Sequence, residues 1–295
     1  MDMVLSVDHH PVPGETIIGD GITYHPGGKG ANQAYAVGKL GGDVRIIGCV
    51  GWDNNGMILT ENLAQAGVDT TAINRMPEAP TGMAIIDVDK KGDNSIIVIS
   101  GANACLTPDL LRKQKASVEW SDFIMTQLET PIDTVLELAR MAKKADKCMI
   151  LDPSPARADL PDELFPLIDI MKPNEKELSI LTGMPTETDE EIKAAADALL
   201  EKGVSKVVVT LGARGAMLAD GNEKLFFEAK SVVPVDTTAA GAAFTAAMVN
   251  GLAQEMGMIQ AIRMANGVAS IVVTRHGAQA SIPDRDEIDD LIWNY

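Results

Sequence analysis

Residues 123–152 read FIMTQLETPIDTVLELARMAKKADKCMILD, and their pattern decides the fold. The run Phe123–Leu128 is apolar and strand-like. Thr134–Lys144 repeats its apolar residues at helical spacing, and Met149–Asp152 is a second short apolar run. A strand, a helix and a strand in so few residues form a crossover unit, which places the two strands parallel.

Outward from this unit the alternation continues. Val44–Val50, Ile168–Lys172 and Lys206–Leu211 read as further strands. Ala31–Leu40, Met57–Ala66, Asp189–Glu201, Ala240–Met256 and Met258–Thr274 read as helices. Such alternation predicts a mainly parallel sheet with helices on both faces, a three-layer Rossmann-type α/β fold, with ligand at the carboxyl ends of the strands. Met3–Val7, Thr16–Tyr24, Gly82–Val88 and Ser95–Ile99 break the order, because no helix separates them and Lys90-Lys91-Gly92-Asp93 is a hairpin turn. They predict a small antiparallel lid. The expected organisation is a single domain over 1–295, with lid segments near 1–24 and 82–100.

Forty-two acidic against 25 basic residues give a net charge of −17. This balance disfavours nucleic acid and anionic membrane as partners, so a polyphosphate must be held by local devices such as helix N-termini and Mg2+. Cys49, Cys105 and Cys148 are widely spaced and suggest buried free thiols, not a zinc site or a disulfide framework. No run of 18 apolar residues and no signal pattern is present, so the expected location is cytoplasmic.

Gly27-Gly28-Lys29-Gly30-Ala31-Asn32 is a glycine-rich turn that opens a helix, with the wrong spacing for a Walker loop. Alone it is a turn. In company it is more: Pro13-Gly14-Glu15-Thr16 precedes it, and Asn174-Glu175-Lys176-Glu177 and Thr210-Leu211-Gly212-Ala213-Arg214-Gly215 follow. Next come Asp236-Thr237-Thr238-Ala239-Ala240-Gly241-Ala242-Ala243-Phe244 and Thr274–Gln279 with Ser281-Ile282-Pro283. These ordered motifs, spread over nearly the whole chain, resemble the ribokinase-like (PfkB) carbohydrate kinases.

The resemblance implies ATP-dependent phosphorylation of D-ribose, or a similar sugar, to ribose 5-phosphate. It implies that Asp2, Gly28, Lys29, Asn32 and Glu129 bind the sugar. Asn174, Thr210, Gly212 and Asn266 would serve the nucleotide, and Glu177 would order Mg2+ through water, although Asn174 and Glu177 also form a helix-capping pattern. Asp236, Thr238, Val273, Gly277 and Ser281 would hold a monovalent cation, K+ in relatives. Ala240, Gly241 and residue 242 would form the anion hole at a helix N-terminus. A homodimer through the lid is also implied, its apolar residues (Ile85, Ile86, Val88, Ile96, Val98) needing a partner surface.

Three departures stand out. The family's general base is an aspartate at the position of Ala242, so transfer should be strongly reduced. Relatives continue Phe-Asn-Gly-Ala where this chain has Phe244-Thr245-Ala246-Ala247, and the change at 246 should fill space near the site. Relatives also carry a central strand and a Gly-Ser-x-Asn lead-in ahead of the aspartate matched by Asp2, so the first central strand is expected to be missing. Two other readings remain at this point: a non-catalytic sugar or nucleotide sensor, and a kinase of another alcohol such as a nucleoside or deoxyribose.

Overall fold

The computed structural model describes residues 1–288; residues 289–295 of the expected 1–295 domain lie outside them. Its strands are β1 (Asp2–Ser6), β2 (Gly21–His25), β3 (Gly48–Gly51), β4 (Ile73–Met76), β5 (Met83–Val88), β6 (Asn94–Ile99), β7 (Phe123–Thr126), β8 (Cys148–Leu151), β9 (Ile170–Met171), β10 (Lys206–Thr210), β11 (Ala216–Ala219) and β12 (Lys224–Phe227). The α-helices are α1 (Lys29–Lys39), α2 (Asn54–Gln65), α3 (Pro108–Arg112), α4 (Lys115–Trp120), α5 (Ile132–Lys144), α6 (Glu175–Thr182), α7 (Asp189–Glu201), α8 (Ala240–Ala253) and α9 (Met258–Val272).

The main sheet runs β12-β11-β10-β9-β8-β7. β7 to β10 are parallel, and β11 and β12 extend the edge as an antiparallel hairpin. Its central strands are apolar throughout because both faces are covered. Met149, Leu151, Val207 and Val209 pack into one core with α5, α6 and α7. Ile150 and Val208 point the other way, into a core with α1, α8 and α9. Helix α8 is rich in alanine, and residues 243–251 are buried along its whole girth.

The second sheet runs β2-β1-β5-β6. Its outer pairs are antiparallel, as expected of the lid, but β1 and β5 are parallel, so the sheet is mixed. Register places Tyr24, Met3, Ile85 and Ile97 in one row, with Ile22 and Leu5 on the same face. The opposite face carries Asp2, Ala84, Ile86 and Val98 over a cavity of about 1530 Å³.

The expected strand over Val44–Val50 is corrected. Only Gly48–Gly51 is a strand, and it pairs with β4 in a separate two-stranded sheet, not with the main sheet. Val44 and Ile47 instead pack as core residues, Val44 beside Phe123 and Met125 and Ile47 on the opposite core. The expected strand over Thr16–Tyr24 is likewise confined to Gly21–His25.

Between β7 and β3 lies an open slot. Among the described residues, β7 pairs only with β8 and β3 only with β4, and both free edges line the cavity. Arg45 donates to Ser117 Oγ at 3.2 Å and stacks over Trp120, which joins the starts of the two segments. Among the described residues no strand pairs with the free edge of β7, in keeping with the expectation that the first central strand is missing.

Candidate functional site

The turn between β2 and α1 forms a cradle because its glycines leave no room for side chains. Gly28 has φ +97°, a conformation that disfavours any Cβ. A Cβ on Gly27 would collide with the Asp2 carboxylate, and one on Gly30 would press on Gln127 Oε1. The Lys29 backbone N–H donates to Glu129 Oε2 at 3.0 Å. Asn32 is buried, and its Oδ1 accepts from Gln279 Nε2 at 2.9 Å. Asp2, Gly28, Lys29, Asn32 and Glu129 all line the one cavity.

Burial pushes both acid groups of the cradle up. For Asp2 the Met1 ammonium, His25 and Lys29 offset part of that rise. For Glu129 the Lys29 N–H opposes it, while the charges of Asp2 and Asp152 add to it. Two carboxyls that ionise reluctantly suit hydrogen-bond donors that would replace water around them.

Across the cavity stands the N-terminus of α8. Ala239 precedes it at φ +61°, a left-handed conformation uncommon for alanine. Among the described residues no side chain caps the helix. The Ala240 N–H is engaged, donating to the Thr237 carbonyl at 3.3 Å, and Ala240 does not line the cavity, which corrects its expected place in the anion hole; the Gly241 and Ala242 amides are open to an anion. Gly241 and Ala242 line the cavity, and the Ala242 methyl occupies the third helical position. Ala246 is completely buried in the core, so the space it fills belongs to packing and not to the cavity, correcting the expectation.

Asn174 and Glu177 form a complete capping box on α6. Glu177 N–H donates to Asn174 Oδ1 at 2.8 Å, and Asn174 N–H donates to Glu177 Oε2 at 2.9 Å. Both still line the cavity, as does Thr210 at the end of β10. Gly212 and Asn266 do not line it. The Asn266 amide is engaged elsewhere, donating to the Phe227 carbonyl at 3.0 Å, so it is not free to face a nucleotide.

The loop before α8 is tied to the end of α9. Thr238 N–H and Gly277 N–H each donate to the Asp236 carboxylate at 2.9 Å, and Val235 N–H and Asp236 N–H donate to the Val273 carbonyl. Burial pushes the Asp236 carboxyl up, but these hydrogen bonds outweigh it and hold the group below its usual range. Asp236, Thr238, Val273 and Gly277 thus converge. Ser281, fully buried, turns its hydroxyl to the Ala278 carbonyl. Among the described residues no cluster of three His, Cys, Asp or Glu side chains exists, so a cation here would rely on carbonyl oxygens.

Four cavity residues were not singled out from sequence: Gln33, Gln127, Asp152 and Lys172. The signal was present for two of them, since Asp152 and Lys172 are charged residues at the carboxyl ends of apolar strands. Gln33 and Gln127 carry no local signal, because their role depends on partners about a hundred residues away.

A doubly covered α/β sheet, a polar glycine cradle at its strand ends, an open helix N-terminus opposite and a small sheet above define a small-molecule site built for a polyol and an anion. The pfkB family carbohydrate kinase model matches residues 1–285, and the chain belongs to that family. It is 42% identical over 286 residues to the ribokinase of Haemophilus influenzae, covering 97% of this chain and 93% of that protein. The structure of Arabidopsis thaliana ribokinase complexed with ribose and ATP superposes with a TM-score of 0.95 at 34% identity, covering 100% of this chain and 96% of that one. An E. coli relative in complex with ATP and Mg2+ gives a TM-score of 0.83 at 26% identity, covering 100% and 96%.

Proposed function

We propose that this chain is a ribokinase-type sugar kinase scaffold that binds D-ribose and ATP and transfers the phosphoryl group to give ribose 5-phosphate slowly. The carrying observation is that the cradle and the α8 N-terminus face one cavity with only a methyl group, Ala242, at the expected base position. The resemblance to ribokinases over nearly the whole chain supports the choice of sugar and nucleotide.

In this reading Asp2 and Glu129 accept hydrogen bonds from sugar hydroxyls, while Lys29, Asn32 and the backbone at Gly28 fix the ring. Phosphoryl transfer asks mainly for positioning and charge stabilisation. The amides of Gly241 and Ala242 supply that charge stabilisation at the helix N-terminus. Glu177 keeps Oε1 for the water shell of Mg2+, while its other oxygen completes the cap. Asp236, Thr238 and the carbonyls near Val273 and Gly277, with Ser281 behind them, hold K+ and order the loop into α8. Ala242 cannot take the proton of the attacking hydroxyl. A positioned base contributes about a hundred- to ten-thousand-fold in rate, or ~3–5.5 kcal/mol of barrier.

The chain acts as one ribokinase-like domain whose second sheet is the lid. Its outward row of Tyr24, Met3, Ile85 and Ile97 is apolar, with Ile97 59% exposed. A second copy of the same sheet is the natural cover, giving a homodimer. The cytoplasm is the compartment that supplies ATP. Calorimetric titration of the wild-type chain with D-ribose and with a non-hydrolysable ATP analogue tests the reading: both bind if it holds, and binding of neither removes it.

A further inference from the structure

A buried ion pair lies beneath the first turn of α8. Asp152 follows β8 and Lys172 follows β9, and they are 5% and 3% exposed. Lys172 Nζ sits 3.0 Å from Asp152 Oδ2 and 3.4 Å from the Gly241 carbonyl oxygen. Thr245 Oγ1 donates to the same carbonyl at 2.9 Å and lies 3.4 Å from Asp152 Oδ2. The ammonium therefore seats the backbone of the second residue of the helix that faces the anion site.

The other side of the pair leads to the cradle. Gln33 Nε2 donates to Asp152 Oδ2 at 2.8 Å, and Gln127 Nε2 donates to Gln33 Oε1 at 2.5 Å. Gln127 Oε1 in turn abuts Gly30, where an added Cβ would lie 2.8 Å from it. Hydrogen-bonded side chains and one packing contact thus join the glycine turn to the α8 N-terminus. Among the described residues Asp152 Oδ1 is buried with no partner, so the side-chain bonds of this carboxylate converge on Oδ2, the oxygen that serves the link. A buried ion pair adds little stability over apolar residues of the same volume; what this one supplies is a fixed geometry.

We propose that Lys172 and Asp152 are positioning residues that couple the two halves of the cavity, so that a sugar in the cradle tightens the seat of a phosphate-bearing nucleotide at α8. Sugar contacts order the Gly28–Gly30 turn, and the link through Gln127, Gln33 and Asp152 holds Lys172 against Gly241. The nucleotide then meets a first turn that is already ordered, and binding is favoured reciprocally. This inference rests on the proposed sugar and nucleotide site.

The test measures the dissociation constant of a non-hydrolysable ATP analogue with and without saturating D-ribose. In the wild type, ribose should tighten it about tenfold. The factor should fall to about one in Gln33→Leu and in the double variant Lys172→Met/Asp152→Leu, with ribose affinity alone kept within about threefold. The double variant removes both charges so that neither is left buried and unpaired, and Gln33→Leu decides alone if that variant does not fold. An unchanged factor in the folded variants overturns the coupling, as does independent binding of the two ligands to the wild type. Failure of the wild type to bind either ligand at all overturns the proposed function as well.

Discussion

At position 242 a methyl group stands at the third residue of α8, lining the same cavity as Asp2 and Glu129. Removal of an anion beside a nucleotide phosphate relieves like-charge repulsion while leaving the amides of the turn in place. The other acid groups of the site set its pH response. Burial raises the pKa of both Asp2 and Glu129 above their ordinary 3.8 and 4.5, so the folded chain holds these protons more tightly than the unfolded chain. Their contribution to stability is therefore lost as pH rises through the raised values. Sugar hydroxyls donate to the ionised form, so D-ribose affinity should rise over the same window. Titrations between pH 4 and 7 should show this rise in the wild type and a flattened profile in Asp2→Asn and Glu129→Gln.

Among the elements, α6 is capped by Asn174 and Glu177, the pair to which the proposed function gives a second role. Asn174→Ala should lower stability by about 1 kcal/mol through loss of the cap, read by denaturant unfolding. Asn174→Ser keeps a capping oxygen, so it should unfold near the wild type yet require more Mg2+ for nucleotide binding. Equal effects of the two replacements on both readouts would reduce Asn174 to a cap. The cap was legible in sequence, as were β7 to β10, because continuous apolar runs report strands covered on both faces. The β11–β12 hairpin was not legible: Ala-Met-Leu-Ala has weak strand propensity and is placed by pairing with β10. The apolar run 44–50 misled for the opposite reason, since Val44 and Ile47 are half-buried packing residues without a ladder partner in the main sheet. The motif residues of the cradle and of the α8 turn were found by local pattern. The Gln127–Gln33–Asp152–Lys172 link was not, because it exists only once β7, β8, β9 and α1 are assembled.

For the molecule as a whole, the slot between β7 and β3 leaves one edge of each of two sheets without a partner among the described residues. Unpaired edges and apolar faces are costly. A seven-residue Val- and Ile-rich peptide added in trans should fill the slot as a strand, raise Tm by about 5 °C or more, and slow amide exchange in Phe123–Thr126 and Gly48–Gly51. An unchanged Tm with unchanged exchange would mean that the slot takes no strand. The outward face of the second sheet makes its own prediction. The wild type should elute at twice the 31.3 kDa chain mass, and Ile97→Lys should elute as a single chain. The claim that unites site and fold is that recognition is intact and only the proton acceptor is absent. It is tested most directly by the rate of ribose 5-phosphate formation from D-ribose and ATP, with Mg2+ and K+, in the wild type beside Ala242→Asp. The account predicts a gain of about a hundredfold or more in the variant. Equal rates in the two proteins, whether both fast or both absent, would contradict it.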